Sequence, residues 1–160
     1  MSERLHVLIV EDNPADVDLI REALPETGPI RFHSESVPRL SEALARLATG
    51  GIDIILTDLG LPDSQGLATF RELRQAAPDL AIIVATVSDD EEMAVAAVRE
   101  GAQDFLVKGQ ISGNLLVRAV RYAIERKRTE ETLKKSVDKY QILFEKVKDL
   151  QTDDKKKKDE

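Results

Sequence analysis

Two short apolar runs in this chain end in acid. LHVLIV, residues 5–10, leads into Glu11 and Asp12, and IDIILT, residues 52–57, leads into Asp58. A strand whose side chains are nearly all apolar is buried on both faces, as in a parallel sheet covered by helices. Carboxylates at the carboxyl ends of such strands stand at the rim where open α/β sheets bind their ligands. Three acids on neighbouring strands repel one another strongly unless a cation sits between them. The pattern points to a metal site with a reactive carboxylate in it.

The rest of the chain supplies the frame. Five strand-then-helix units follow in order, with strands expected at residues 5–10, 30–35, 52–57, 81–86 and 104–107. Asn13-Pro14 opens the first helix as a cap followed by proline, and Val17, Ile20 and Leu24 form its stripe up to Pro25. Leu40, Ala43, Leu44, Leu47 and Ala48 mark the second helix before Gly50-Gly51. Residues 58–64 are expected as a loop, and Leu67, Phe70 and Leu73 face inward on the third helix. The fourth is expected to be capped near Ser88-Asp89 and closed by Gly101, and the last to open near Ser112. Strict alternation with short connections gives a parallel sheet with right-handed crossovers. Runs one, three and four are apolar throughout and belong in the middle, so the fold class is a doubly wound α/β fold with a five-stranded parallel sheet in the order 2-1-3-4-5 (flavodoxin-like) and an extended C-terminal helix. The topological switch then falls between strands one and three, where Glu11, Asp12 and Asp58 stand.

Composition narrows the function classes. At 160 residues the chain accommodates one domain and an appendage. Cysteine is absent, so disulfides, thiolate nucleophiles and cysteine-bound zinc are excluded. No apolar stretch approaches the ~20 residues of a membrane span, and the first residues lack the basic-then-apolar order of a signal peptide; no membrane contact and a cytoplasmic location are the expectation. The net charge of −7 argues against a nucleic-acid partner, which needs clustered Lys and Arg.

Thr86 lies at the end of the fourth strand and Lys108 at the end of the fifth, so both join the three acids on one rim. Each has an ordinary alternative. An acidic pair often caps a helix, Asp58 could be a turn residue before Pro62, Thr86 a strand-end hydroxyl, Lys108 a solvated charge and Phe105 core. Their occurrence together at four strand ends favours chemistry, and the chemistry this set suits is phosphoryl transfer to a carboxylate. Mg²⁺ can be held by carboxylates while gripping phosphate oxygens, an aspartate can act as nucleophile, and an ammonium can offset phosphate charge. His6 and His33 lie within strands away from this rim and are expected to be packing or surface residues.

Four segments, VLIVEDNPAD (7–16), LTDLGLPDSQG (56–66), IIVAT (82–86) and GAQDFLVK (101–108), resemble the receiver domain of two-component response regulators over roughly residues 4–126. The resemblance implies that Asp58 is the phosphoacceptor, that Asp12 and Asp58 ligate Mg²⁺ directly, that Glu11 acts through water, and that the Gly60 carbonyl completes the protein's share of the metal shell. It makes Thr86 the switch hydroxyl, Lys108 the phosphate-pairing ammonium and Phe105 the aromatic that repacks with Thr86. The phosphoryl donor would be a sensor histidine kinase or a phosphotransfer protein, and the chain would not be an enzyme beyond self-catalysed phosphorylation and dephosphorylation. The sequence departs from the family pattern at Gly109, where proline is usual, at Val87, where alanine or glycine is usual, and at Ala85, where a larger aliphatic is common.

The expected division is a receiver domain at 1–126, a helical extension at 127–150 and a disordered charged tail at 151–160. Leu115, Leu116, Ala119, Val120, Ala123 and Ile124 can dock on the sheet, whereas residues 125–131 are polar all round. Leu133, Val137, Tyr140, Phe144 and Val147 then resume a 4-3-4-3 spacing that suits a weak homodimer through residues 133–150. Residues 133–145 are also similar to the lead-in helix of PAS sensor domains. Two other functions compete with the switch: an interaction module that is no longer phosphorylated and acts through its long helix, and a Mg²⁺-dependent phosphatase. The phosphatase lacks a second acid two residues after the nucleophile, since position 60 is glycine.

Overall fold

In the computed structural model, which describes residues 3–158 (the backbone alone at 88 and 151–158), five strands form one parallel sheet. They are β1 (Glu3–Val10), β2 (Ile30–Val37), β3 (Ile54–Thr57), β6 (Ala81–Thr86) and β7 (Asp104–Val107), in the order β2-β1-β3-β6-β7. This is the expected 2-1-3-4-5 arrangement, with the fully buried runs in the centre and the mixed runs at the edges. Strands β1 and β2 pair over eight residues, from Glu3↔Ile30 to Val10↔Val37, because β1 begins earlier and β2 ends later than their apolar cores. Strand β3 starts at Ile54 rather than residue 52, since Asp53 is held by its backbone and side chain against His6 of β1.

Alternation along each central strand feeds two cores. Val7, Ile9, Ile54, Leu56, Ala81 and Ile83 face α1 (Pro14–Ala23) and the start of α5 (Gly113–Lys158). Leu8, Val10, Ile55, Ile82 and Val84 face α2 (Leu40–Leu47), α3 (Leu67–Ala76) and α4 (Glu91–Arg99). Helix α1 opens as its sequence implies: the Asn13 side chain accepts from the Ala15 N–H at 2.9 Å, and Pro14 follows. On α5 the docked stripe is Leu116, Ala119, Val120, Ala123 and Ile124, whereas Leu115 is exposed. Leu115 sits one position off the i, i+3, i+4, i+7 face that the other residues share.

Three local features differ from expectation. Residues 58–64 are not plain loop, because β4 (Gly60–Leu61) and β5 (Ser64–Gln65) pair antiparallel around Pro62-Asp63. The cap expected near Ser88-Asp89 is a 3₁₀ turn, Ser88–Asp90, and α4 begins at Glu91 with no side-chain cap. The backbone helix of α5 runs to Lys158, past the expected end of the helical extension at 150. Asp159 and Glu160 lie outside the described residues. The chain divides into two compact units between Lys127 and Arg128.

The hairpin has a structural task. Asp63 at its tip accepts from the Leu40 and Ser41 N–H groups at 2.8 and 3.0 Å, capping α2 from 23 residues away. Arg39 at the cap position offers no side-chain bond of its own. The Ser41 and Leu40 N–H groups hold the Asp63 carboxyl below its usual range. A depressed folded pKa adds stability above the unfolded value, and that stability is lost as pH falls through the folded one. Asp63→Ala is therefore expected to lower the thermal midpoint at neutral pH, with the gap to wild type closing as pH drops below about 4. A gap that stays constant with pH would mean that the carboxylate is not the cap.

Candidate functional site

Register brings the acids together. Val10 pairs with Thr57, so the next residues, Glu11 and Asp58, emerge side by side. The ladder continues one step beyond the strands, with Glu11 N–H donating to Val37 O at 3.0 Å and Asp58 N–H to Val10 O at 2.9 Å. On the other side Thr86 pairs with Val107, so Lys108 emerges next to the end of β6. Leu59 and Leu61 are buried in the core and pin the strand-to-hairpin segment, which fixes Gly60 beside Asp58. The Gly60 N–H donates to Asp58 Oδ1 at 3.1 Å.

Glu11, Asp12 and Asp58 each present a carboxylate oxygen within 4.8 Å of the others, with Glu11 buried, Asp58 half-buried and Asp12 exposed. Lys108 reaches in from the opposite side. Its Nζ lies 2.6 Å from Glu11 Oε2, 2.7 Å from Asp58 Oδ2 and 3.0 Å from Asp16 Oδ2. Gly109 does not prevent that reach; residues Lys108–Gln110 form a single 3₁₀ turn. Burial pushes the Glu11 carboxyl up to about 7, with the Asp58 charge adding to it, while the Lys108 ammonium and the Asn13 N–H pull the other way. Burial also opposes the Lys108 charge, yet Asp58, Glu11 and Asp16 outweigh it and hold the lysine above its ordinary value. Four carboxylates against one ammonium leave the rim with excess negative charge. The hard oxygen donors and this excess fit a divalent cation, and the ammonium already stands among the same oxygens.

Thr86 ends β6 at the rim, and Phe105 lies within β7. The Thr86 hydroxyl donates to the Val87 carbonyl at 3.1 Å and is thus committed to its own backbone rather than to Asp58. Phe105 is half-buried against the core under α2, α3 and α4. Val87, which departs from the family pattern, is 49% exposed at the rim. His6 and His33 pair across β1 and β2 as a T-shaped contact with ring centroids 5.2 Å apart, a packing role. Asp16 stands in the first turn of α1; Asp12 lies before the Asn13 cap and outside that helix, so no helical spacing in the sequence marks Asp16 as a partner of the rim.

The comparisons with known proteins agree with this geometry. The family model described as the response regulator receiver domain matches residues 7–121. The chain is 36% identical over 129 residues to the C4-dicarboxylate transport transcriptional regulatory protein DctD of Rhizobium meliloti (strain 1021), covering 80% of this chain and 27% of that protein. It is 39% identical over 123 residues to the KDP operon transcriptional regulatory protein KdpE of Escherichia coli (strain K12), covering 76% of this chain and 52% of that one. The chain thus spans between about a quarter and a half of the length of these relatives. A sensor protein from Polaromonas sp. JS666 superposes with a TM-score of 0.66 at 30% identity, over 77% of this chain and 98% of that structure. Since the match extends over residues 7–121, which hold β2, β3, β6, β7, the second half of β1 and every acid of the rim, the chain belongs to the response regulator receiver domain family.

Proposed function

We propose that Asp58 accepts a phosphoryl group from a sensor histidine kinase or phosphotransfer protein, and that the chain is a phosphorylation-driven signalling switch. The observation that carries this is Asp58 itself. Glu11 and Asp58 both belong to the three-acid group and touch the buried ammonium, but the Glu11 side chain is only 2% exposed, whereas 22% of the Asp58 side chain remains open to solvent. Asp58 oxygen forms the new O–P bond as the N–P bond of the donor phosphohistidine breaks and its imidazole leaves. Lys108, which donates to Asp58 Oδ2, would pair with the transferred phosphoryl oxygens, while the Gly60 N–H donates to the other carboxylate oxygen. Mg²⁺ held by Asp12, Asp58 and the Gly60 carbonyl, with Glu11 acting through water, would supply further screening of phosphoryl charge. The Thr86 hydroxyl would leave the Val87 carbonyl for a phosphoryl oxygen, with Phe105 repacking beside it. The same residues would govern self-catalysed phosphorylation by small donors and hydrolysis of the acyl phosphate. The test is the Asp58→Asn experiment argued in the Discussion.

A second reading concerns the unit from Arg128 onwards. Leu133, Val137, Tyr140, Phe144 and Val147 are 46–74% exposed along one helical face. A helix of this length is marginal alone and gains stability by hiding such a stripe. In a parallel, in-register pair each of these residues meets its own copy. Ser136, Gln141, Leu143 and Lys148 flank the seam, so no like charges oppose, while Asp138, Lys139, Glu145 and Lys146 stay outside. Lys148 also lies 4.9 Å over the Phe144 ring, covering the edge of the seam. We propose a weak homodimer through residues 133–150. The sedimentation coefficient of the full chain should rise with concentration, and that of a chain truncated after Arg128 should not. Two concentration-independent monomers would remove the dimer.

A further inference from the structure

Lys108 Nζ has three carboxylate oxygens as neighbours: it donates hydrogen bonds to Asp58 and Asp16, and it ion-pairs with Glu11 Oε2 at 2.6 Å. Two of these carboxylates, Glu11 and Asp58, are also members of the three-acid group that fits a divalent cation. Asp16 is not. It projects from α1, on a different element from the strand ends that carry the group, and its side chain is 26% exposed. A cation bound to the group draws on the Glu11 and Asp58 carboxylates that also hold the lysine and leaves Asp16 alone. Lys108 is only 10% exposed on its side chain, so an ammonium abandoned there would be a buried, unpaired charge. One of its three contacts survives such competition, and it is the contact to α1.

We propose that Asp16 is the positioning residue for Lys108, retaining the ammonium at the rim when Glu11 and Asp58 turn to a divalent cation. The inference rests on the metal-site reading above and adds to it a residue outside the ligand set. Asp16 thereby lowers the cost of exchanging the lysine's partners for metal and keeps Nζ close to the oxygen that takes the phosphoryl group. An acid in the first turn of a helix also interacts favourably with the helix dipole. That effect bears on the stability of α1 and does not depend on Lys108, so the two roles separate in a double-mutant cycle.

The experiment is calorimetric titration of Mg²⁺ into the full chain as wild type, Asp16→Asn, Lys108→Gln and the double variant, with thermal unfolding in EDTA to verify that each folds. Asp16→Asn is expected to weaken Mg²⁺ binding by about fivefold when Lys108 is present and by less than about twofold when it is glutamine, because no ammonium is then left stranded. Asp16→Glu, which keeps the carboxylate, should recover most of the affinity. Equal losses in the two backgrounds would reduce Asp16 to a general negative charge and overturn the proposal, as would no loss in either. If the wild type itself takes up no Mg²⁺, the metal-site reading falls, and this inference with it. If the wild type binds but the cycle shows no coupling, only the inference falls.

Discussion

Asp58→Asn is expected to abolish phosphoryl labelling by acetyl phosphate and Mg²⁺, leaving only background, while the fold persists. Asparagine has nearly the same shape, and its oxygen can still accept the Gly60 N–H that Asp58 Oδ1 accepts at 3.1 Å. What it lacks is the anionic oxygen that would form the O–P bond, together with the ion pair to Lys108 at 2.7 Å. Lys108 retains Glu11 and Asp16, so the core beneath the rim has no reason to open. Intact-mass analysis of wild type and variant after brief exposure to the phosphodonor reads the outcome directly. A variant that labels as well as wild type would remove Asp58 from the role. A wild type that never labels would instead favour the interaction module that acts through its long helix.

Asp12→Ala should lower Mg²⁺ affinity by a factor on the order of 10–100 or more, the scale on which even the supporting partners of a metal site matter. Mg²⁺ demands near-octahedral oxygen geometry and does not tolerate a missing carboxylate easily. Asp12 is exposed and is not among the carboxylates that hold Lys108, so its loss leaves the ion-paired centre standing. In EDTA the variant should be at least as stable as wild type, since one of several mutually repelling acids is gone. Added Mg²⁺ should raise the thermal midpoint of the wild type and leave that of the variant nearly unmoved, because a ligand stabilises the folded state only as far as it binds it. Superimposable Mg²⁺ titrations would mean that the acids only shape a loop.

Much of the fold was legible because it is dictated by burial. Residues 7–10, 54–57 and 81–86 are buried almost without break, and a strand covered on both faces cannot be written in any other way. The edge strands betray themselves by their mixed burial, and the order of the sheet follows. The placing of Glu11, Asp58, Thr86 and Lys108 on one rim was legible for the same reason. Each follows or ends a parallel strand, and parallel strands in one sheet end on the same side.

Other features depend on groups that meet only through space. The two-residue strands around Pro62-Asp63 are too short to carry a period, and Asp63 caps a helix that begins 23 residues earlier in the chain. Asp16 belongs to the rim through the direction in which α1 leaves β1, and Lys108 comes to it from 92 residues away. Leu115 is as apolar as the docking stripe beside it, but the rotation of α5 against the sheet leaves it outside. The sequence by itself determined which segments are buried strands, which residues stand at their ends and hence where chemistry can occur. The tertiary structure alone decided which carboxylates share the lysine and which helix start the hairpin caps, because the physical warrant for those contacts is a distance between elements that no local pattern encodes.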